Sequence, residues 1–377
     1  MRILLTSPIY PPLNSGLGNA VFIQATSLVK AGHEVTVATG GQRNSELVEG
    51  VTVETFCITG ANCLFQPIHG EVDVYLDFLR QGNWDVILIN GWQNWATDLL
   101  LRSITKISGR KILYSHGIST NSFFLNQPLK SCLRYLSWRP YWWGLGSYIK
   151  KLDGMIFLAS NGLAPRFDDL SIAKNSKVPI SVIPNSLSKF ALESLAEPHA
   201  SQNSRNCLIA VGSYQWQKGF DFVIRAFAAS LVYNRFTLHL YGQEYSSYCA
   251  SLRDLMKRLE LPEKSVVFHQ KVSGKDLLFE YRRARLVLSG SHSECQPLAL
   301  IDANASGVPF ISRNSGCIQF MPGGTVVSTF QEMANQINML VNEPLMWQNF
   351  SDAGRRAAYE LYQPDRNVQK LLDVIGE

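Results

Sequence analysis

The chain has 377 residues, two to three times the usual length of a single domain, so we expect two domains, each with its own core. Hydrophobic residues make up 46% of the chain and charged residues 17%, values close to globular averages that exclude extended disorder. The 35 Lys and Arg against 30 Asp and Glu leave a net charge of +5, which is too small to predict nucleic-acid binding from charge alone.

Short apolar, β-branched runs alternate with segments of helical period along the chain, a pattern typical of parallel α/β sheets. A first series of strands is predicted at Arg2–Thr6, Glu34–Ala38, Trp84–Asn90, Lys111–Ser115, Met155–Ala159 and Ile180–Ile183, with a helix at Ala20–Lys30. A second series is predicted at Cys207–Val211, Thr237–Tyr241, Ser265–His269, Arg285–Ser289, Val308–Ser312 and Thr325–Ser328, with helices near Phe220–Ala229, Lys275–Ala284 and Pro297–Ser306. The fold class is therefore predicted to be α/β, with two Rossmann-like domains that face each other across a cleft.

The segment Ser186–Asn206 lacks a sustained strand pattern and is rich in Ser, Ala, Asn and Glu, so we place the joint between the domains there. The predicted domains cover residues 1–187 and 188–355. Residues 356–377 form a helical segment that we expect to pack back on the first domain.

Cysteine usage and the N-terminus predict a cytoplasmic protein. The seven cysteines include no C-x-x-C pair, which favours reduced thiols. The first strand ends at Pro8 and is too short for the core of a signal peptide, and no apolar run in the sequence is long enough to span a bilayer. Peripheral contact with the inner face of the membrane stays open.

The stretch 289–309 contains two acidic residues in an unusual setting. A strand is predicted to end in a Ser/Gly-rich turn, with a helix beginning at Pro297. After Glu294, the only charge on this helix is Asp302, which would be expensive to bury without a hydrogen-bond donor. The hydroxyls of a polyol or a ribose would satisfy both acids at the carboxyl end of a strand. Alternatively, Glu294 lies on the surface and Asp302 pairs with a basic residue.

The stretch 211–221 repeats the order of strand, glycine-containing loop and helix. Lys218 lies where that helix begins, beside backbone N–H donors. A cation there suits a diphosphate whose negative charge grows as a sugar leaves. Alternatively, Lys218 is a solvated loop lysine.

In this order and spacing, the two stretches resemble the family-four retaining glycosyltransferases of the GT-B fold, the glycosyl transferases of group 1. The marks are a glutamate followed after seven residues by an acid, and Lys-Gly before the first helix of the second domain. The resemblance extends over nearly the whole chain, through Tyr10-Pro-Pro, Gly32-His-Glu-Val-Thr-Val, Ser115-His116-Gly117, Ile183-Pro-Asn185 and Gly307-Val-Pro309.

The resemblance implies a role for each matching residue. Lys218 would hold the donor diphosphate and Asp302 the ribose hydroxyls, while Glu294 and the backbone after it would hold the transferred sugar. His116 would face the reacting centre from the first domain, which would bind the acceptor. A lone histidine after a strand is more often structural, but the strand-end position and the following Gly117 favour the functional role. The implied catalytic set is His116, Glu294 and Lys218; further donor-binding residues are Gly212, Cys295, Gln296, Pro297, Leu298 and Arg313, and Gly16 and Gly18 would belong to an acceptor or phosphate loop.

Three positions depart from the family pattern. The family usually has an arginine where this chain has Ser213, so a second phosphate cation must come from elsewhere, and Arg313 is the candidate. Asp302 stands where the family usually has glutamate, so the ribose must lie closer or be reached through water. The glycine doublet of the first loop reads Ser15-Gly16.

A dinucleotide-binding oxidoreductase is the main rival. The loop 16–21 contains G-x-G, but Val21 replaces the third glycine, and no acid follows the second predicted strand. No D-x-D triplet occurs, which argues against a transferase that holds the diphosphate through a metal. We therefore predict no cofactor and no metal requirement.

The segment Gln127–Leu152 combines leucines at helical spacing, basic residues and several tryptophans around Pro140. Basic residues beside interfacial aromatic residues are typical of a membrane-surface patch, whereas an ordinary amphipathic helix followed by a buried Trp cluster explains the pattern equally well. A membrane patch would favour a lipid-linked acceptor.

The sequence therefore predicts a hexosyltransferase-type glycosyltransferase. Its partners would be a nucleotide-diphosphate sugar and a glycan or lipid-linked saccharide, with no nucleic acid. Two alternatives remain: an inert scaffold that binds sugar nucleotides, and a nucleotide-sugar hydrolase or epimerase on the same fold.

Overall fold

The computed structural model describes residues 1–12, 15–118, 123–124, 127–197 and 202–376. The chain divides into two compact units, one formed by Met1–Asn185 with Pro364–Glu377 and the other by Ser186–Gln363. We assigned residues 356–363 to the C-terminal segment, but the structure places them in the second unit. The predicted α/β fold class is confirmed in each unit.

The first unit is built on an eight-stranded sheet. Its strands are β1 (Arg2–Thr6), β2 (Glu34–Gly40), β3 (Asn44–Val48), β4 (Val51–Phe56), β7 (Val86–Asn90), β8 (Arg110–Ser115), β9 (Gly154–Phe157) and β10 (Ile180–Val182), and a separate two-stranded sheet is formed by β5 (Ile58–Thr59) and β6 (His69–Gly70). The strand order is β10-β9-β8-β7-β1-β2-β4-β3, parallel except for the edge pair β3 and β4. The helices are α1 (Gly16–Lys30), α2 (Val72–Gln81), α3 (Trp95–Ser103), α4 (Pro128–Ile149) and α5 (Asp168–Lys174).

The second unit begins with α6 (Lys189–Ala196), inside the segment predicted as the joint. Its sheet has the order β13-β12-β11-β14-β15-β16, and all its strand pairs are parallel. The strands are β11 (Cys207–Val211), β12 (Thr237–Gly242), β13 (Val266–Gln270), β14 (Ala284–Ser289), β15 (Phe310–Arg313) and β16 (Gly324–Val327); the helices are α7 (Phe220–Ala229), α8 (Ser247–Arg258), α9 (Gly274–Arg283), α10 (Leu298–Ala305), α11 (Phe330–Asn342) and α12 (Pro344–Glu360).

A buried arginine ties several of these elements together. The Arg205 guanidinium donates to the backbone carbonyls of Tyr281, Ala284 and Ser306 and lies over the ring of Trp347. Burial lowers its pKa to about 10, which leaves it protonated at neutral pH. Because charge-assisted hydrogen bonds to carbonyls compensate for the loss of water, this cation can lie in the core of the second unit.

The last helix, α13 (Pro364–Ile375), belongs to the first unit and packs against α1. Arg110 donates to the carbonyl of Ile375 at 2.7 Å. The backbone N–H of Leu187 donates to the carbonyl of Tyr362 at 2.8 Å, so the two ends of the second unit lie side by side. No helix in the described ranges is both long and apolar enough to cross a bilayer.

The sequence prediction missed β3 and β4. Almost every residue of β3 is exposed, and β4 alternates between buried and partly exposed positions. Strand β3 is polar and lies at the edge of the sheet, so the search for apolar runs could not find it. Strand β4 lies inside the sheet, but its apolar residues are interrupted by Thr and Glu and form no continuous run.

Candidate functional site

The second unit brings its two motif-bearing loops to one point of the sheet. Strand β11 has β12 on one side and β14 on the other, so the strand order reverses between β11 and β14. The loop after β11 carries Lys218, and the loop after β14 carries Glu294. Ligands of open α/β sheets bind outside the carboxyl ends of the strands at such a reversal.

Two glycines allow these loops to touch backbone to backbone. A Cβ atom on Gly219 would lie 2.0 Å from the carbonyl oxygen of Gly290, and one on Gly290 would lie 2.1 Å from that of Gly219. Gly219 also has a φ of 61°, a left-handed conformation that glycine adopts without strain. The backbone N–H of His292 and the hydroxyl of Ser291 both donate to the carbonyl of Gln217.

Lys218 and Glu294 form an ion pair across the two loops. Nζ of Lys218 lies 2.6 Å from Oε1 of Glu294, and both side chains are half-buried. Glycine at position 212 leaves room for the lysine stem, since a Cβ there would lie 3.3 Å from Cγ of Lys218. The structure thus unites two predicted site residues that are 76 positions apart.

Arg313, at the end of β15, joins this cluster through a histidine that the sequence analysis did not select. Nη1 of Arg313 lies 2.9 Å from Nδ1 of His292, and the guanidinium also lies over the ring of Phe222. The His292 ring stacks on Trp216 with 4.2 Å between centroids. Burial and the nearby Arg313 lower the pKa of His292 to about 4, so the imidazole is neutral and accepts the arginine N–H.

The charge of Arg313 is not compensated in the way that the charge of Lys218 is. In the part of the chain that the structure describes, no carboxylate forms an ion pair with Arg313. The guanidinium is partly buried and contacts a neutral ring and an apolar ring. Such a cation attracts an anion more strongly than a solvated arginine does.

A third loop, after β15, supports the residues that follow Glu294. Gly316 has a φ of 54°, and a Cβ there would lie 2.2 Å from the carbonyl oxygen of Glu294. The N–H of Cys317 donates to the carbonyl of Cys295 at 3.0 Å. Gln296 hydrogen-bonds the Cys317 thiol, whose pKa burial raises to about 12.

The following helix starts one residue later than predicted. Pro297 is the N-cap residue, with ψ of 124°, and α10 begins at Leu298. Both side chains are half-buried. Pro297 thus ends the loop that carries Glu294 and does not lie in the helical turn.

Asp302 lies on α10 and is held by Ser188, which the sequence analysis also missed. The Ser188 hydroxyl hydrogen-bonds the Asp302 carboxylate and accepts the N–H of Ala191 at 3.1 Å. Burial raises the pKa of Asp302 to about 7, against the opposing effect of Ser188. No Lys or Arg pairs with Asp302 in the described residues, so the predicted alternative of a basic partner is not observed there.

In the first unit, His116 follows β8 beside the end of β7. Its Nε2 lies 3.1 Å from Oδ1 of the buried Asn90, and its ring stacks on Tyr114. Because an amide oxygen only accepts, Nε2 carries the proton and Nδ1 carries the lone pair. Burial lowers the pKa of His116 to about 4, so the ring is neutral at pH 7.

A buried carboxylate fixes the loops around His116. Asp169 accepts the indole N–H of Trp92 at 2.7 Å and the hydroxyl of Ser115. The Ser115 oxygen in turn accepts the N–H of Gly117 at 3.2 Å. Burial raises the pKa of Asp169 to about 6. The strand ends of β7 and β8 are thus joined through one side chain of α5.

Gly16 and Gly18 lie in the first turn of α1, after a loop whose residues 13–14 fall outside the described ranges. The N–H of Gly18 donates to the Ser15 hydroxyl at 2.9 Å, so this N–H already has an acceptor. Gly16 has open space where a side chain would be. Across the described ranges, no three His, Cys, Asp or Glu side chains are grouped so that they could hold a metal ion.

Comparison with known proteins finds a family that the second unit matches. Residues 193–357 match the family described as glycosyl transferases group 1. A protein of Haemophilus influenzae named an uncharacterized glycosyltransferase is 24% identical over 174 residues, which are 44% of this chain and 46% of that protein. The chain therefore spans under half the length of that relative. The alpha-monoglucosyldiacylglycerol synthase of Streptococcus pneumoniae is 23% identical over 84% of this chain and 71% of that protein.

Solved structures share the fold over nearly the whole chain. The sucrose-phosphate synthase of Thermosynechococcus elongatus has a TM-score of 0.75 at 16% identity and covers 99% of this chain and 98% of its own. Anabaena HepE, solved with UDP and glucose, has a TM-score of 0.72 at 15% identity over 100% of this chain and 99% of its own. These are GT-B structures, so the predicted fold is confirmed.

The contact between the two glycines predicts a large loss of stability in Gly290→Ala. The added methyl group would lie 2.1 Å from a backbone oxygen that no side-chain rotation can move, so the loops must separate. We expect a free energy of unfolding lower by roughly 3 kcal/mol, measured by urea unfolding.

Gly212→Ala is the matched control, because its Cβ would meet only the flexible stem of Lys218 at 3.3 Å. Equal stability of the two variants would show that the loops are not held by this contact.

Proposed function

We propose that this chain, a group 1 glycosyl transferase with the GT-B fold, moves a sugar from a nucleotide-diphosphate sugar to a hydroxyl group of an acceptor. One observation carries the proposal: the Lys218–Glu294 pair, 2.6 Å apart, at the point where the strand order of the second unit reverses. A cation for a diphosphate and a carboxylate for sugar hydroxyls thus occupy one place.

The second unit would hold the donor. Lys218 neutralises the diphosphate together with backbone N–H groups at the start of α7, and Glu294 and the loop 295–298 bind the transferred sugar. The carboxylate of Asp302, aligned by Ser188, would accept the hydroxyls of the ribose. The UDP and glucose in the HepE structure support a nucleotide diphosphate and a sugar as ligands of this fold.

The first unit would bind the acceptor, with His116 near the reacting centre. Its pKa of about 4 makes the ring a neutral hydrogen-bonding group at pH 7, which cannot supply a positive charge. Asn90 fixes the tautomer with Nδ1 as the acceptor. Gly16 and Gly18 would line the loop on the acceptor side.

The transfer would retain the anomeric configuration and need no metal. The bond from the anomeric carbon to the phosphate oxygen breaks while the acceptor oxygen bonds to that carbon on the same face. The leaving phosphate oxygen takes the acceptor's proton, so no enzyme nucleophile is required. Stabilisation of the departing negative charge by Lys218 and Arg313 would then be the main catalytic contribution.

Arg313 would replace the arginine that the family has at position 213. Its guanidinium is bound to His292, and the backbone of His292 is bound to the loop that carries Lys218. The absence of a carboxylate partner among the described residues leaves this charge for the diphosphate.

The acceptor would be a glycan or a lipid-linked saccharide of a cell-surface polysaccharide or lipopolysaccharide pathway. A relative named alpha-monoglucosyldiacylglycerol synthase, aligned over 84% of this chain, supports a lipid-linked acceptor. The protein would then act in the cytoplasm, in peripheral contact with the membrane through residues 127–152.

We expect one nucleoside diphosphate among UDP, GDP and ADP to stabilise the protein with or without magnesium, and Lys218→Ala to abolish the effect. Ligand at about a hundred times its Kd adds roughly 2.7 kcal/mol, a shift in Tm of several degrees. Loss of the lysine should also slow sugar transfer by about two to three decades, the usual result of removing a group that binds a developing anion. The first measurement is the Tm of the protein with each nucleotide of a panel that includes NAD.

Lys271→Ala is the control, because Lys271 forms an exposed ion pair with Glu244 in the same unit. A shift with NAD alone would replace the proposal with an oxidoreductase. Nucleotide binding without any turnover would favour a scaffold, and turnover without an acceptor would favour a hydrolase or an epimerase.

Arg313→Ala should weaken binding of that nucleoside diphosphate by roughly tenfold to a hundredfold, the usual value of a charge-assisted hydrogen bond. Adding Ser213→Arg should restore at least part of the affinity, because the new cation would stand beside Gly212 in the same loop cluster. Titration calorimetry of the single and double variants measures both effects. Unchanged affinity in Arg313→Ala would remove this residue from the donor site.

Binding of the nucleotide sugar should strengthen as the pH rises through about 7, the raised pKa of Asp302. Ribose hydroxyls donate to the ionised carboxylate, so binding favours deprotonation, and affinity can change by up to about tenfold per pH unit. The measurement is the Kd of the nucleotide sugar from about pH 6 to 8, since its diphosphate does not titrate there. Asp302→Asn should give a flat profile, and an identical slope in both proteins would contradict the role.

A further inference from the structure

The first half of helix α4 shows the reverse of the usual burial pattern. It buries the small polar side chains of Ser131 and Ser137 and exposes Leu129, Leu133 and Leu136, which are 55–80% accessible. A helix on a protein surface normally turns its leucines inward, so this arrangement gives up the stabilisation that leucine burial provides.

The exposed apolar residues form one stripe along α4. Leu129, Leu133, Leu136 and Trp143 are separated by four, three and seven residues, which places them on one face of the helix. Trp143 is 74% exposed, so the predicted alternative of a Trp cluster that is buried throughout does not hold at this residue. At 1.5 Å per residue the stripe is about 21 Å long.

A second apolar element lies beside the stripe. The N–H of Leu64 donates to the carbonyl of Ser137 in α4 at 3.3 Å, which holds this turn against the helix. Leu64 and Phe65 are 63% and 65% exposed. Nothing in the segment Gln127–Leu152 pointed to this turn, because it is more than sixty residues away in the sequence.

The exposed stripe does not result from a loosely held helix. The opposite face of α4 buries Tyr141, Leu145 and Ile149. The Tyr141 hydroxyl accepts the N–H of Gln93 at 3.2 Å and hydrogen-bonds the buried carboxyl group of Asp98. The orientation that exposes the leucines is therefore fixed by the packing of the second half of the helix.

The charged residues of α4 and of the sequence on either side of it are all of one sign. No Asp or Glu occurs between Asp98 and Asp153, although the whole chain contains 30. Basic residues in and directly after α4 are Lys130, Arg134, Arg139, Lys150 and Lys151.

We infer that α4 and the Leu64–Phe65 turn form a docking surface for an anionic lipid bilayer. Exposed leucines and a tryptophan enter the boundary between head groups and acyl chains, and the surrounding lysines and arginines attract anionic head groups. The basic surroundings disfavour a second copy of this chain, because two such faces would repel each other. The inference specifies which surface makes the membrane contact of the proposed function. It rests on that function only for the identity of the acceptor.

The test compares two triple variants of the full chain by co-sedimentation with vesicles. Leu129→Ser, Leu133→Ser and Leu136→Ser together remove the stripe at positions where the side chains are already exposed. The matched control changes three exposed leucines elsewhere, Leu47→Ser, Leu231→Ser and Leu345→Ser, which are 73–83% accessible.

With vesicles of phosphatidylglycerol and phosphatidylcholine, we expect the stripe variant to bind at least about tenfold more weakly than wild type, and the control to bind equally well. Wild-type binding should be weak on pure phosphatidylcholine and should fall when NaCl is raised from about 0.1 to 0.5 M. Equal binding of both triple variants would overturn the inference.

A second measurement distinguishes binding to a bilayer from self-association of this chain. A wild-type dimer in sedimentation velocity that becomes monomeric in the stripe variant alone, with no binding to vesicles, would assign the surface to self-association and overturn the bilayer. The nucleotide-dependent rise in Tm should be the same in the stripe variant and in wild type. Loss of vesicle binding with that rise intact would therefore test the docking surface apart from the donor site.

Discussion

Gly219 and Gly290 touch through their backbones, and the geometry of the second unit's site depends on that contact. Neither position has room for a Cβ atom, so the loops after β11 and β14 cross at a distance that no other residue pair permits. The crossing brings Lys218 and Glu294 within 2.6 Å of each other. Gly316 lets a third loop, after β15, approach just as closely, because a Cβ atom there would clash with the carbonyl oxygen of Glu294.

The electrostatics of this cluster follow from which groups have partners. Lys218 shares its charge with Glu294, whereas Arg313 is bound to an imidazole that stays neutral because burial and the arginine itself disfavour its protonation. A neutral acceptor fixes the direction of the guanidinium without cancelling its charge. Asp302 is different again: its burial raises its pKa, and one serine hydroxyl opposes that effect.

The parts that could be predicted are those with a strong local signal. Strand β11 and helix α7 agree with the sequence prediction to the residue, because a β-branched run and an amphipathic segment are separated there by glycine. The edge strand β3 was missed because it is polar. His292 lay inside a stretch that was singled out, but its contact with Arg313 depends on a pairing of loops that no local pattern encodes. The outward orientation of α4 was equally hidden, because leucines at helical spacing predict burial as readily as exposure.

The hydrogen bond between Leu187 and Tyr362 has a topological consequence. Since α13 returns to the first unit, the second unit is an insertion in the sequence of the first, and its two ends emerge together. Because the two ends of the insertion are adjacent, the first unit can hold it without distorting its own structure. The entropic cost of closing such a long loop also grows only slowly with its length. Recombination can therefore exchange the whole inserted unit between related genes while the first unit keeps its own first strand and its last helix.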